Sequence, residues 1–164
     1  MNKKKIFITG SNSFIGKNLV RHFGSKFDFY GIDRVEVASP KIEKVNLCST
    51  DLAKFLKKDT DVIVNLAAVS NSKSCDKDPL NCYQTNVVGL INLLECANKR
   101  KIKNIIHAST EWVYEENEKF HQEDERIDLT KINSHYAFSK LMNEQILRIY
   151  HKQNPNINIT CLRF

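Results

Sequence analysis

Proline and glycine are scarce, three and five in 164 residues, which excludes collagen-like and linker-like chains. Long apolar runs are missing: charge or polarity interrupts every stretch well short of the ~18 residues that a membrane-spanning helix needs. No secretory leader is expected either. Met1-Asn2-Lys3-Lys4-Lys5 is basic, but only four apolar or small residues separate it from Gly10. CxxC spacing is absent, and the cysteines (Cys48, Cys75, Cys82, Cys96, Cys161) are odd in number. That fits reduced, mostly buried thiols better than a disulfide framework or a zinc site. The histidines (His22, His107, His121, His135, His151) show no ligand spacing, so no metal is expected. The expectation is a cytoplasmic chain of one domain, large enough to bury a core.

The formal charge of +6 raises nucleic acid as a partner. The lysines, however, are spread along the whole chain, and no aromatic residues interleave with a basic stripe. Solvated helix faces account for most of them, with a basic rim toward a phosphorylated ligand as the alternative. No nucleic acid and no membrane is expected as a partner.

Short β-rich runs alternate with helical segments. Lys5–Thr9, Phe27–Ile32, Ile42–Leu47, Asp61–Leu66, Asn104–Ala108 and Asn158–Leu162 read as strands. The fourth is almost continuously apolar, as a parallel strand covered on both faces should be. Residues 14 to 23 carry apolar positions at helical spacing, and Asp51 to Lys57 reads as a short helix. Asp78 caps a long helix with Pro79 at its first position, and Ser134 or His135 opens another that runs to about Lys152. The expected architecture is α/β, a doubly wound parallel sheet of about six strands with helices on both faces.

The first strand-to-helix junction reads Ile8-Thr9-Gly10-Ser11-Asn12-Ser13-Phe14-Ile15-Gly16. Gly10 supplies a tight turn, Gly16 lets the helix approach the sheet, and the helix N-terminus points amides at a pyrophosphate. Ser13 stands where the G-x-x-G-x-x-G pattern has its middle glycine. Asp33 ends the second strand, 23 residues after Gly10. A carboxylate there accepts ribose hydroxyls and repels a 2′-phosphate, which favours NAD, while Arg34 leaves a small opening for NADP.

Tyr136 and Lys140 stand at i and i+4, so both project from one helix face. A cation close to the phenol favours the phenolate and lowers its pKa, which suits proton transfer coupled to hydride transfer. Ser109-Thr110 lies at the end of strand five, where ligands meet such sheets.

These stretches, with Asn65-Leu66-Ala67-Ala68, Asn86-Val87-Val88-Gly89 and Tyr136-Ala137-Phe138-Ser139-Lys140-Leu141…Glu144, resemble the extended short-chain dehydrogenase/reductases, the NAD-dependent nucleotide-sugar epimerase/dehydratase family, over nearly the whole chain. The resemblance implies a Rossmann domain over residues 1–164 that binds NAD, with the family's C-terminal substrate domain absent. It implies Tyr136 as catalytic base and acid, Lys140 on the nicotinamide ribose, and Thr110 on the reacting hydroxyl. Gly10, Ser13, Phe14, Ile15, Gly16, Asp33 and Arg34 would meet the adenosine and pyrophosphate. Asn46 and Leu47 fall at the adenine, Leu66, Ala67 and Ala68 along the cleft, and Asn86 as support from the long helix.

Three departures shape the functional reading. Ser13 replaces a glycine. Glu111-Trp112 follows Thr110 where sugar dehydratases resemble Asp-Glu, which argues for epimerase or ketoreductase chemistry over 4,6-dehydration. The chain ends at Phe164, where the family continues into the domain that holds the nucleotide sugar. The expected function is therefore the NAD-binding part of a nucleotide-sugar epimerase or ketoreductase, inactive by itself. The alternative is a non-catalytic NAD sensor or interaction module, for which a tuned phenol has no use. In dimers resembling this family the two long helices pair into a bundle, although packing on the sheet explains their apolar faces equally well.

Overall fold

The computed structural model describes residues 2–114 and 121–164. Six parallel strands form one sheet in the order β3-β2-β1-β4-β5-β6. They are β1 (Lys5–Thr9), β2 (Asp28–Asp33), β3 (Ile42–Lys44), β4 (Val62–Asn65), β5 (Asn104–Ser109) and β6 (Asn158–Arg163). The order reverses direction between β1 and β4, so the carboxyl ends of those strands open a crevice between the two halves. The helices are α1 (Phe14–Phe23), α2 (Leu52–Phe55), α3 (Ser72–Lys77), α4 (Pro79–Tyr83), α5 (Gly89–Arg100) and α6 (His135–Gln153). The Rossmann-like sheet with helices on both sides is as the alternating pattern implies. None of the described helices is long and apolar enough to cross a membrane.

Alternation within β1 divides the core. Phe7 faces the larger cluster, with Ile63, Ile105, Leu90, Leu93 and Leu147. Ile6 and Ile8 face the smaller one, with Phe29 and Val64, under Leu19 of α1. The long helix begins as read: the Asp78 carboxylate accepts the Asn81 amide at 3.1 Å, and Pro79 follows. It runs to Arg100 in three pieces, because Gln84–Val88 forms a wider π turn between α4 and α5. Lys101 ends it with φ 60°.

Three readings change. β3 stops at Lys44 instead of Leu47, because Asn46 turns the chain by accepting the Cys48 amide at 2.9 Å. α3 was not expected: its sequence is almost wholly polar and only Cys75 is buried, so no apolar period marks it. The cysteines are not all reduced. Cys75 and Cys82 form a disulfide, since the corner at Asp78-Pro79 folds α4 back beside α3 and brings the two Cα atoms to 5.0 Å. Cys48, Cys96 and Cys161 are free.

Candidate active site

The loop from β1 to α1 is shaped by contacts that no side chain would survive. Gly10 has φ +70°, and a Cβ on it would lie 2.8 Å from the Ala67 amide nitrogen. A Cβ on Gly16 would lie 2.7 Å from the Ser11 carbonyl, so α1 can approach the loop closely only with glycine there. Ser13 does not need the freedom of the glycine it replaces: its φ is −64°. Its hydroxyl caps α1 by accepting the Gly16 amide at 3.1 Å. The first amides of a helix find no acceptor inside it. With Gly16 satisfied by Ser13, those of Phe14 and Ile15 stand at the mouth of the crevice, which both residues line.

Asp33 closes this end. One carboxylate oxygen accepts the Asn12 amide at 2.8 Å and the other the Val35 amide at 3.2 Å, which ties the end of β2 to the loop. The cleft has a volume of about 630 Å³. Gly10, Ser13, Phe14 and Ile15 line one side, and Asp33, Arg34, Asn46 and Leu47 the next. Leu66, Ala67 and Ala68 form its floor, and Tyr136 and Lys140 its far end. Three expected residues lie outside the lining. Gly16 is buried behind the loop. Thr110, at the end of β5, accepts the Trp112 amide at 3.3 Å and hydrogen-bonds the Tyr136 phenol. Asn86 sits in the π turn. Its carbonyl accepts the Val69 amide at 2.7 Å, and its amide donates to the Val69 carbonyl at 3.1 Å and to Ser139 at 2.9 Å.

Tyr136 and Lys140 do share a face of α6, with the Lys140 ammonium 6.0 Å from the phenol ring centre. The expected electrostatics change. Burial raises the Tyr136 pKa above its usual value, outweighing the Thr110 hydrogen bond, and Glu111 pushes the same way. The ammonium does not reverse this, because it donates at 2.8 Å to the Ala108 carbonyl and is itself buried, which brings its pKa down to about 8.

Residues 6–164 match the model of the NAD dependent epimerase/dehydratase family. The chain belongs to this family. It is 32% identical over 180 residues to Protein CapI of Staphylococcus aureus, covering 98% of this chain and 53% of that protein. In three dimensions it resembles a UDP-N-acetylglucosamine 4-epimerase from Methanobrevibacter ruminantium, with TM-score 0.87 and 27% identity over 99% of this chain and 55% of that one. A Bacillus cereus UDP-glucuronic acid 4-epimerase, solved with UDP-glucuronic acid and NAD, superposes with TM-score 0.82 and 29% identity over 97% of this chain and 55% of that one. The chain thus spans about half the length of the relatives it matches.

Two polar assemblies of this epimerase/dehydratase chain escaped the sequence reading. Thr9 donates to the Asn65 carbonyl oxygen at 2.5 Å and accepts the Ala67 amide at 3.2 Å. Asn65 continues to His107 Nδ1 at 3.0 Å, and His107 Nε2 faces the Asn143 amide group at 3.5 Å. Burial, reinforced by Lys140, brings the His107 pKa down to about 3, so the imidazole is neutral. The second assembly hangs on Glu144, two turns beyond Tyr136. Its carboxylate accepts from Ser109 and from Arg163 at 2.9 and 2.7 Å. Burial opposes its ionisation, but Arg163 and Ser109 hold its pKa below the usual value. Arg163 also reaches the Tyr114 hydroxyl and the Glu123 carbonyl, joining the ends of β5 and β6. Asn81 and Thr85, which line the cleft from the long helix, are one turn apart in sequence. That spacing was the available signal.

Proposed function

We propose that this chain is the NAD-binding part of a nucleotide-sugar epimerase, with Tyr136 as the acid and base at a sugar carbon. NAD is the family's cofactor. The residues present fit it: a helix N-terminus with free amides at one end, an acid on β2 beside it, and a floor of small residues between them and Tyr136. Phe14 and Ile15 amides would face the pyrophosphate, Asp33 the adenosine ribose, Asn46 and Leu47 the adenine, and Lys140 the nicotinamide ribose. When bound, NAD supplies an acceptor that takes hydride from the sugar carbon and returns it.

The chain's own residues manage the proton. Tyr136 is a protonated phenol at rest, held so by burial and by Glu111 against the opposing pull of Thr110. The Lys140 charge behind its ring makes loss of that proton affordable, so the same Oη takes a proton from a sugar hydroxyl and later gives one back. Thr110 orients that hydroxyl. The observation that carries this reading is the meeting of Tyr136, Lys140 and Ala108 at the end of β5, inside the same cleft as Gly10 and Asp33. Glu111 keeps a carboxylate beside Thr110, but Trp112 brings no second acid or base after it, which favours epimerase over dehydratase chemistry. The nucleotide sugar would be held in the full-length protein. Leu80, Val88, Ile91, Phe138 and Ile149, exposed on the two long helices, support pairing of two copies.

The test is Tyr136→Phe in the full-length protein, assayed with UDP-sugars and by NAD calorimetry. Turnover falls at least roughly a hundredfold, the usual share of general acid–base catalysis, while NAD affinity stays nearly unchanged. Turnover within about tenfold of wild type would remove Tyr136 from the mechanism.

A further inference from the structure

We infer that Cys75 and Cys82 form a reversible dithiol/disulfide site that latches one wall of the cleft. The inference rests on that cleft being where NAD binds. The bond joins α3 to α4, and both sulfurs are fully buried. It sits at a junction. The Cys75 sulfur lies 3.7 Å from the Val69 carbonyl, and the Cys82 sulfur 3.6 Å from the Asn86 amide nitrogen. Asn86 holds Val69 through both its amide and its carbonyl, and reaches Ser139, the neighbour of Lys140. Val69 and Ser70 line the cleft directly. One covalent link therefore lies against the cleft wall and against the residue that ties that wall to the catalytic helix.

The two partners are unequally held. Cys82 belongs to the long helix, whose continuation buries Leu90, Leu93 and Leu94. α3 buries no residue but Cys75 itself. Its other ties are polar: Ser72 with Ser134 at 2.9 Å, and the His135 amide donating to Asp76 at 3.2 Å. A six-residue helix anchored by one side chain opens locally at little cost, which is how a fully buried sulfur becomes reachable for exchange. A low-molecular-weight disulfide oxidises the pair by two exchanges. One protein thiolate displaces a small thiol to give a mixed disulfide, and the second displaces the other small thiol and closes the bond; a small dithiol reverses both. Reduction also changes the chemistry at Val69. A disulfide sulfur has no proton, whereas a Cys75 thiol is a donor aimed at the carbonyl that Asn86 now holds.

The experiment compares the wild-type chain equilibrated in small-disulfide buffer with the same chain in dithiol buffer. Thiols are counted in denaturant, and amide hydrogen exchange and NAD affinity are measured on both forms. The oxidised form is expected to show three free thiols, with Cys75 and Cys82 in linked peptides. On reduction, amides of residues 69–77 exchange at least about tenfold faster while those of β1 and α5 do not change. NAD binds roughly fivefold more weakly to the reduced form. Cys82→Ser behaves as the reduced form in either buffer, and Cys161→Ser responds as wild type does. Five free thiols in the disulfide buffer, or equal exchange over 69–77 in both forms, would overturn the latch. If neither form binds NAD, the functional reading falls, and the exchange data still decide the latch. Because wild type is switched chemically, the outcome does not depend on a cysteine variant folding.

Discussion

The body of the sheet and its carboxyl end are equally buried and chemically opposite. In the body, Phe7, Ile63 and Ile105 meet Leu90, Leu93 and Leu147, none more than 1% exposed. At the carboxyl end, Thr9, Asp33, Asn65, Ser109, Thr110 and Lys140 are buried as well, yet every one is polar or charged. Apolar burial stabilises the folded chain, whereas buried polar groups cost free energy unless each is matched. The pKa values record the difference: burial pushes both Lys140 and His107 toward their neutral forms. In β1 and β4 the body of the strand holds the molecule together, and the carboxyl end, Thr9 and Asn65, is kept polar for the cleft.

Leu90→Ala should show the largest effect, lowering unfolding free energy by about 2–5 kcal/mol in urea titrations while leaving NAD affinity unchanged. A loss no larger than that of a substitution at the cleft would break the comparison. Lys140→Met should move the other way, raising stability at pH 7 by about 1–3 kcal/mol. The sign follows from the depressed pKa. Between about 8 and 10.5 the unfolded chain holds the proton and the folded chain does not, so wild-type stability rises with pH across that window and the variant's does not.

His107 sharpens the point in acid. Its pKa falls from 6.5 to about 3 on folding, so the unfolded chain binds the extra proton and wild-type stability declines as pH drops below 6.5. The slope approaches about 1.4 kcal/mol per pH unit, and His107→Gln should lose most of it between pH 6.5 and 5, above the range where carboxylates dominate. Equal slopes for the two proteins would mean that His107 is charged in the fold. Ser13→Ala should have the smallest effect, about 1 kcal/mol from the lost cap, measured in the same titrations.

The apolar body was the legible part of this molecule. β1, β4 and β5 announce themselves because strands covered on both faces must be apolar, and periodicity reports burial directly. Gly10, Asp33, Tyr136 and Lys140 were legible through spacing, since a turn or a helix fixes where neighbours in sequence lie. α3 was not, because it buries one residue and periodicity needs several. The pairings of Glu144 with Arg163, of Asn65 with His107 and of Cys75 with Cys82 join different elements, and no local rule connects them. The Tyr136 pKa failed for a related reason: the i+4 spacing placed the charge correctly, but desolvation depends on what else crowds the phenol.

The π turn at Gln84–Val88 has a consequence for how this helix tolerates change in length. A π turn carries about one residue more than an α turn, and each residue of an α-helix advances the phase by about 100°. Deleting one residue from 84–88 would turn the π turn into an α turn and keep its flanks in phase, whereas deleting one from the regular helix α5 would rotate everything before it by that angle. Cys82 would then swing away from Cys75, and Asn81 away from the cleft, with no change in either side chain. A single deletion in α5 is a rotation of half a wall, whereas one inside the π turn is absorbed where it falls.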